Sequence, residues 1–235
     1  MRKPIIYQYD KEKDICRTVD IYDICRKDNL YEFRNEDGSI KESTRNAIEN
    51  TLSWYESSWD KIFNKILNHQ ELTETDFAFL YLLFAVQILR LPDVQKVGVQ
   101  LYKDFTKDIE HQFTDTDIEN WVKYASLPTG AIDDNQTILK GFVERLGKKE
   151  LTICDSEDVL VINGEFPIAV YLDNFDCDFP VTPHLCLRLK DKKCGKDYGH
   201  LSRNDVKKLN DYIINTCNGR FIYSSVPYNQ ILKGD

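Results

Sequence analysis

The chain has 235 residues, of which 42% are hydrophobic and 30% are charged, and its net charge is −8. This length and composition are typical of a globular protein that buries a sizeable core. The acidic balance argues against broad, non-specific nucleic-acid binding, which depends on Lys and Arg contacts to phosphates. We therefore expect no broad basic surface for nucleic acids.

The cysteines and the first residues predict a cytoplasmic protein. The seven cysteines are scattered without a C-x-x-C pair, and this pattern is typical of free thiols in a reducing compartment. The residues after Met1 lack the apolar stretch of a signal peptide.

The predicted elements form three blocks within a single domain over residues 1–235. The β-rich start, residues 1–34, contains a hairpin in which residues 5–9 and 16–21 flank a polar turn. Residues 43–147 form a helical block, and residues 150–235 form an antiparallel β-meander with a closing helix and strand. Because strands and helices are segregated along the chain, we predict the α+β class.

The central block is predicted to contain helices over residues 43–68, 73–91, 92–109, 117–125 and 134–146. Ser43 and Thr44 are candidate N-caps of the first helix. Thr73 and Asp76 have the spacing of a capping box at the start of the second helix.

The last block alternates between strands and a helix. We predict strands over residues 150–155, 159–162, 168–172 and 184–189. A helix follows from Ser202 to about Cys217, again with capping-box spacing to Asp205, and a strand over residues 220–224 closes the chain.

Ten consecutive apolar residues, 77–86, lead directly into Gln87 and Arg90. The run is too short to span a bilayer, which needs about 20 apolar residues, so we predict a buried helix and no membrane contact. An arginine at the end of such a helix needs a carboxylate or a ligand anion, because an unpaired buried charge is costly.

Two glutamates on the first helix are candidate partners of Arg90. Glu49 and Glu56 lie one heptad apart, and helical spacing places Glu56 among apolar residues of the same face. If the first two helices pack antiparallel, Glu56 and Arg90 meet. Two interpretations stay open at even weight: a buried ion pair that fixes the helix packing, or a ligand-binding or catalytic site.

Asp155 is a further candidate, because carboxylates at strand ends serve as ligands and general bases, although Asp is also a common turn residue. The four histidines share no metal-ligand spacing. The chain has no G-x-G-x-x-G, P-loop or G-x-S-x-G motif, so dinucleotide, P-loop and α/β-hydrolase chemistry are unsupported.

Short motifs spread over most of the chain resemble, in the same order, those of the family known as domain of unknown function 4238. The matching segments are Tyr7-Gln-Tyr-Asp-Lys11, Asp23-Ile-Cys25, Leu30-Tyr-Glu32, Ile48-Glu49 with Glu56, Gln87-Ile-Leu-Arg90-Leu-Pro92, Thr152-Ile-Cys-Asp155, Phe179-Pro-Val-Thr-Pro183, Asn210 and Arg220-Phe-Ile-Tyr-Ser224. The resemblance implies an uncharacterised protein, mainly bacterial with phage and fungal members. It adds Asn210 to the candidate site residues but implies no reaction.

The chain departs from that family at two places. It has no counterpart of the family's opening H-Y-I/V-P strand, and its Cys154-Asp-Ser-Glu157 stands where the family has T-S-D-N-P. If the missing histidine belongs to a catalytic or metal site, this chain would be inactive or would use another residue.

Two functions follow as hypotheses. The first is a hydrolase-like enzyme acting on a phosphate-containing substrate, a nucleotide or nucleic acid, in a bacterial defence or toxin role. Its predicted catalytic residues are Glu56, Arg90 and Asp155, its substrate-binding residues are Gln87 and Asn210, and Glu49, Glu56 and Asp155 are the predicted ligands of Mg²⁺ or Mn²⁺. The alternative is a non-catalytic interaction module, in which the Glu/Arg cluster is a structural ion pair and a hydrophobic patch surrounds Trp121, Tyr124 and Leu127.

Overall fold

The computed structural model describes residues 6–20, 31–106, 113–128, 136–163, 166–171, 173–191, 198–215 and 219–231. The chain forms two compact units. One contains residues 27–147, and we call it the helical unit; the other contains residues 1–26 and 148–235, and we call it the sheet unit. The prediction of a single domain stays a prediction.

The helical unit contains α1 (Ala47–Leu67), α2 (Glu74–Leu89), α3 (Pro92–Thr106), α4 (Asp115–Ser126) and α5 (Thr137–Leu146). The number and order of these helices confirm the prediction for the central block. The predicted helix ends at Ile109 and Cys217, the predicted helix start at Asp134 and the motif Asp23-Ile-Cys25 lie outside the described residues.

α2 is the buried centre of the helical unit. Leu80, Phe84 and Val86 are fully buried, and α1, α3 and α5 contact this helix. Thr73 and Asp76 form the predicted capping box, because each side chain bonds the backbone N–H of the other residue. Among the described residues no single helix is long and apolar enough to cross a membrane; α2 and α3 reach that length only as a pair bent by 75°.

α1 begins later than predicted. Ser43 and Thr44 lie in a short 3-10 turn, and Asn46 is the N-cap residue, with a left-handed φ of 58° and no capping bond from its side chain. Both carboxylate oxygens of Glu32 instead accept from the Asn46 backbone N–H, at 3.0 and 3.1 Å. The expected N-caps were wrong because a carboxylate from an earlier segment satisfies this helix end.

The sheet unit contains two sheets. The first has the strand order β2-β1-β9-β4 and is formed by β1 (Ile6–Asp10), β2 (Ile15–Val19), β4 (Ile162–Asn163) and β9 (Phe221–Ser224). Its first two strands are the predicted hairpin, paired with Tyr9 opposite Cys16. The Arg220 guanidinium donates to both carboxylate oxygens of Asp10, at 2.9 and 2.6 Å, and joins β1 to the start of β9.

The second sheet has the strand order β5-β6-β7-β3-β8. It is formed by β3 (Glu150–Ser156), β5 (Ala169–Tyr171), β6 (Asp176–Thr182), β7 (Leu185–Lys190) and β8 (Tyr198–Leu201). β5, β6, β7 and β3 pair antiparallel as predicted, but β8 pairs parallel to β3. Sequence reasoning missed β6 and β8, because Pro180 interrupts one and Gly199 the other, and both residues weaken strand signals.

α6 (Arg203–Asn215) covers one face of the core of the sheet unit. Its residues Val206, Leu209 and Ile213 pack with buried residues of both sheets, including Cys154 and Ile222. The short helix α7 (Tyr228–Ile231) was not predicted, and its Tyr228 ring stacks on Tyr9 with centroids 3.7 Å apart. Together the two units confirm the α+β class.

Candidate functional site

Arg90 is the centre of the candidate site in the helical unit. It is the C-cap residue of α2, where a cation is favoured by the helix dipole, and its side chain is half-buried. Its guanidinium makes no hydrogen bond or ion pair with any residue that the structure describes. Its charge nevertheless acts on Tyr31 and Glu49: burial raises the pKa of both groups, and Arg90 offsets part of that rise. We call Tyr31, Glu32, Glu49, Glu56, Gln87 and Arg90 the Arg90 cluster.

The two glutamates of α1 differ from the prediction in their exposure. Glu56 was expected on the apolar face, but it is exposed, because the buried arc of the helix is centred on Tyr55 and Trp59. Glu49 is also exposed. Both residues are described, and neither forms an ion pair with Arg90. The expected contact between Glu56 and Arg90 is therefore not a direct salt bridge.

Glu49 has an altered titration. Its pKa lies above the usual range of a glutamate, first because the surrounding protein displaces water from the carboxylate and second because Glu56 repels its negative charge. Arg90 opposes this shift, and Glu32 adds to it. The cluster therefore contains a carboxyl group that holds its proton more readily than a solvated glutamate does.

Tyr31 and Glu32 were missed as site residues. Burial raises the pKa of Tyr31, Arg90 lowers it, and Glu49 and Glu56 raise it further. Glu32 is 4% exposed and caps α1, while the Lys123 ammonium donates to its backbone oxygen at 2.9 Å. The only sequence signal for this segment was its match to the family motif Leu30-Tyr-Glu32, of which Leu30 lies outside the described residues.

Gln87 lies one turn before Arg90 on α2 and is 7% exposed. Its side-chain oxygen is fully buried and accepts no hydrogen bond in the described part of the chain. A buried amide oxygen without a donor costs free energy, and such groups in native proteins need an explanation such as function or strain. This observation distinguishes the Arg90 cluster from an ordinary surface patch.

Asp155 lies in the sheet unit and is the penultimate residue of β3. Its carboxylate is 2.6 Å from Nδ1 of His200, which is its register partner on β8. Both side chains are largely exposed, at 72% and 56%. No sequence signal indicated this pair, because the partners are 45 residues apart and meet only through the parallel pairing of β3 and β8.

Asn210, the other predicted residue in the sheet unit, uses both ends of its amide. Its oxygen accepts from the Val161 backbone N–H at 3.0 Å, and its nitrogen donates to the Val159 oxygen at 2.9 Å. The side chain is 5% exposed, so this geometry fixes the segment before β4 against α6. The predicted substrate-binding role of Asn210 stays a prediction.

The predicted metal ligands belong to different units, since Glu49 and Glu56 lie in the helical unit and Asp155 lies in the sheet unit. In the described parts of the chain, no group of three or more His, Cys, Asp or Glu side chains could hold a metal ion. Cys154 is buried, and burial raises its pKa to about 11, so its thiol is protonated near neutral pH.

An ion pair with a fully buried carboxylate does exist in this protein, but in the sheet unit. Arg188 donates to both oxygens of Asp178 across β6 and β7, at 2.7 and 3.1 Å. Tyr171 donates to the same carboxylate at 3.1 Å, and Asp178 is 0% exposed. We call Asp178, Arg188 and Tyr171 the Asp178 network.

Residues 2–226 match the sequence profile of the family described as "Protein of unknown function (DUF4238)". The chain belongs to this family. The match covers nearly the whole chain and confirms the resemblance read from the short motifs. No curated protein and no solved structure matches this DUF4238 member. The two polar side chains of the family motif Gln87-Ile-Leu-Arg90 differ in burial. The Gln87 amide is buried, whereas the Arg90 guanidinium is half-buried and has no partner among the described residues.

Proposed function

We propose that the helical unit carries a hydrolase-like site that acts on a phosphate-containing substrate, a nucleotide or nucleic acid. The observation that carries this proposal is the Arg90 guanidinium, which pairs with no residue that the structure describes. A guanidinium presents a planar set of donors that matches a phosphate group, and half-burial strengthens that interaction. Arg90 would hold the phosphate and stabilise the charge that develops on it during cleavage.

Glu49 and Glu56 supply the acid and base of the proposed reaction. The raised pKa of Glu49 suits a general acid that protonates the leaving group, whereas the exposed Glu56 suits a general base that activates water. Their separation by one heptad corresponds to about 10 Å along the helix axis, which leaves room for a phosphate group and an attacking water.

Mg²⁺ or Mn²⁺ fits this arrangement only as a substrate-borne ion. With the ion bound, Glu49 and Glu56 would be its carboxylate ligands in place of the acid and base roles, since Mg²⁺ commonly binds one or two carboxylates together with substrate phosphates. In that case the metal would supply Lewis-acid stabilisation of the phosphate. Asp155, paired with His200, remains the proposed catalytic group of the sheet unit.

The test is hydrolysis of a phosphate monoester, a nucleoside triphosphate and a short oligonucleotide, each with and without Mg²⁺ or Mn²⁺. We expect Arg90→Met and Glu56→Gln to lower kcat/KM by about 100-fold or more, and Arg90→Lys to recover part of the loss. Asp60→Asn is the matched control, because Asp60 is an exposed carboxylate on α1 outside the cluster. Absence of hydrolysis by the wild-type protein on all three substrates contradicts the proposal.

A defence or toxin role follows from the substrate class, because cleavage of nucleotides or nucleic acids harms a growing cell. Expression of the wild-type protein in a bacterium should slow growth, and expression of Glu56→Gln should not. Equal growth with both proteins would contradict this role.

A second candidate function, a non-catalytic interaction module, is favoured by the outer face of α3. Val97, Leu101 and Phe105 form an apolar stripe with exposed fractions of 59%, 54% and 82%. Within the predicted patch, Trp121 is 39% exposed and stacks on Tyr102 of α3, whereas Leu127 is buried, so the predicted patch is exposed only in part. The stripe is symmetric about Leu101, so two antiparallel copies would match apolar to apolar.

Sedimentation of the purified protein tests this candidate. A dimer that Leu101→Glu converts to a monomer would support the interaction module. A wild-type protein that is monomeric at all concentrations would contradict it.

A further inference from the structure

A broad groove with an aromatic wall lies across α1 from the Arg90 cluster. Its volume is about 1160 Å³, and residues of α1, α2 and α5 form its walls. Trp54 stands at its mouth and is 60% exposed. A side chain this exposed leaves aromatic area open to a binding partner.

The Trp54 ring is held in place by two other rings. Tyr55 packs against it edge-on, with centroids 4.8 Å apart, and Phe79 contacts it at 6.3 Å with a tilt of 51°. Both supporting rings are more deeply placed than Trp54. An indole that is held by two neighbouring rings and is 60% exposed leaves aromatic surface on which a flat ring can stack.

The residues that line the groove favour binding of a base over binding of a phosphate. Glu74, Glu144 and Lys140 line it, so its carboxylates outnumber its ammonium groups and its rim carries a net negative charge, which disfavours a phosphate. Asn50 and Thr75 line it as well and offer the donors and acceptors that pair with base edges. The groove therefore suits an uncharged aromatic ring with polar edges, which is the chemistry of a nucleobase.

Short side chains form the surface of α1 between the Arg90 cluster and the groove. Successive residues turn by 100°, so Ser53 and Ser57 lie between the side that carries Glu49 and the side that carries Trp54. Both serines are exposed, and their short side chains leave the ridge open. A helix with its side chains is about 10–12 Å wide, a distance that one or two nucleotides can bridge.

We propose that the substrate of the Arg90 cluster is a single-stranded nucleic acid, whose phosphate binds Arg90 and whose neighbouring base crosses α1 and stacks on Trp54. This inference rests on the proposed function, because it assigns the substrate class of the same site. A single strand is required, since a paired base cannot leave its stack to reach the indole without a cost. The site is local, which agrees with the net charge of −8.

The test compares two ligands by fluorescence anisotropy: a short labelled oligothymidylate and an abasic strand with the same number of phosphates. The wild-type protein should bind the oligothymidylate about 5- to 100-fold more tightly than the abasic strand. Trp54→Ala should abolish this difference, and Trp54→Phe should retain most of it. Leu67→Ala is the control, because Leu67 is an exposed apolar residue of α1 that does not line the groove.

Arg90→Met separates the two proposals. It should weaken the binding of both strands equally and abolish hydrolysis. If Trp54→Ala binds the oligothymidylate as tightly as the wild-type protein, or if the wild-type protein binds neither strand, the inference is wrong. If Trp54→Ala loses the base preference while Arg90→Met hydrolyses substrate normally, the base site stands and the proposed catalytic site fails.

Discussion

Arg90 and Arg188 are held in opposite ways. Arg188 donates two hydrogen bonds to a fully buried carboxylate that also accepts from Tyr171, so every strong group of the Asp178 network has a partner. Arg90 has acidic residues within electrostatic range, but its guanidinium bonds to none of the described residues, and the nearby Gln87 oxygen is buried without a donor. The closed network is built for stability, whereas the open cluster leaves its binding capacity unused in the folded chain.

The largest expected effect is on the closed network. Arg188→Met should lower the free energy of unfolding by about 3–5 kcal/mol, because it removes both guanidinium hydrogen bonds from a fully buried carboxylate and leaves it with the Tyr171 bond and with Lys190 at 3.9 Å. All three tryptophans, Trp54, Trp59 and Trp121, lie in the helical unit, so the measurement is urea unfolding followed by far-ultraviolet circular dichroism.

The double variant Asp178→Leu with Arg188→Met should recover much of that loss, because it removes both charges. Arg203→Met is the control, since Arg203 is 64% exposed and lies 3.8 Å from Asp158. A loss below about 1 kcal/mol for Arg188→Met would show that the closed network contributes no more than a surface ion pair.

Two glutamines of the helical unit give the next comparison. Gln87→Met should raise the free energy of unfolding by about 1–2 kcal/mol, because it removes a buried oxygen without a donor. Gln95→Met should lower it by a similar amount, because the Gln95 amide donates to the Leu89 oxygen and to Ser126. Urea unfolding followed by tryptophan fluorescence reports both, and a change of the same sign in both variants would contradict the account.

The pH dependence of two carboxylates should also differ in sign. The Arg220 guanidinium lowers the pKa of Asp10 to about 2, so its stabilising contribution is present above the usual aspartate pKa and is lost as pH falls towards 2. Asp10→Asn should therefore be less stable than the wild-type protein at pH 6, with the difference disappearing near pH 2. A constant difference across that range would contradict the assigned ion pair.

The smallest expected effect concerns Glu49. Its raised pKa means that the folded protein binds this proton more tightly than the unfolded chain does, so stability falls as pH rises through that pKa. Glu49→Gln should be more stable than the wild-type protein at pH 7 by less than about 1 kcal/mol, because the exposed carboxylate is screened. The difference should vanish below pH 4, and a destabilised variant at pH 7 would show that Glu49 is a structural group.

Local sequence signals predicted much of the fold. The capping box of Thr73 and Asp76, the buried run over residues 77–86 and the hairpin of β1 and β2 depend on neighbouring residues, and the structure confirms them. β8 could not be predicted, because a strand of four residues with a glycine acquires its conformation only by pairing with β3. Glu32 was missed as the cap of α1 for the same reason, since it acts at a distance in sequence.

The candidate site was predicted in part. Sequence spacing identified Gln87 and Arg90 as a polar pair at the end of a buried helix, and the structure gives them these positions. The same helical spacing placed Glu56 wrongly on the apolar face. A helical wheel orders the residues around α1, but it does not show which neighbouring elements cover each side of the helix. The Asp178 network was invisible, because its ion pair depends on the register of β6 and β7.

The most direct test of this account is the free energy of unfolding of Arg90→Met, followed by tryptophan fluorescence in urea. If Arg90 is held open for a ligand, the variant should lie within about 1 kcal/mol of the wild-type protein, as expected for an arginine without a buried partner. A loss of about 3–5 kcal/mol, equal to that expected for Arg188→Met, would contradict the account and make Arg90 a structural strut.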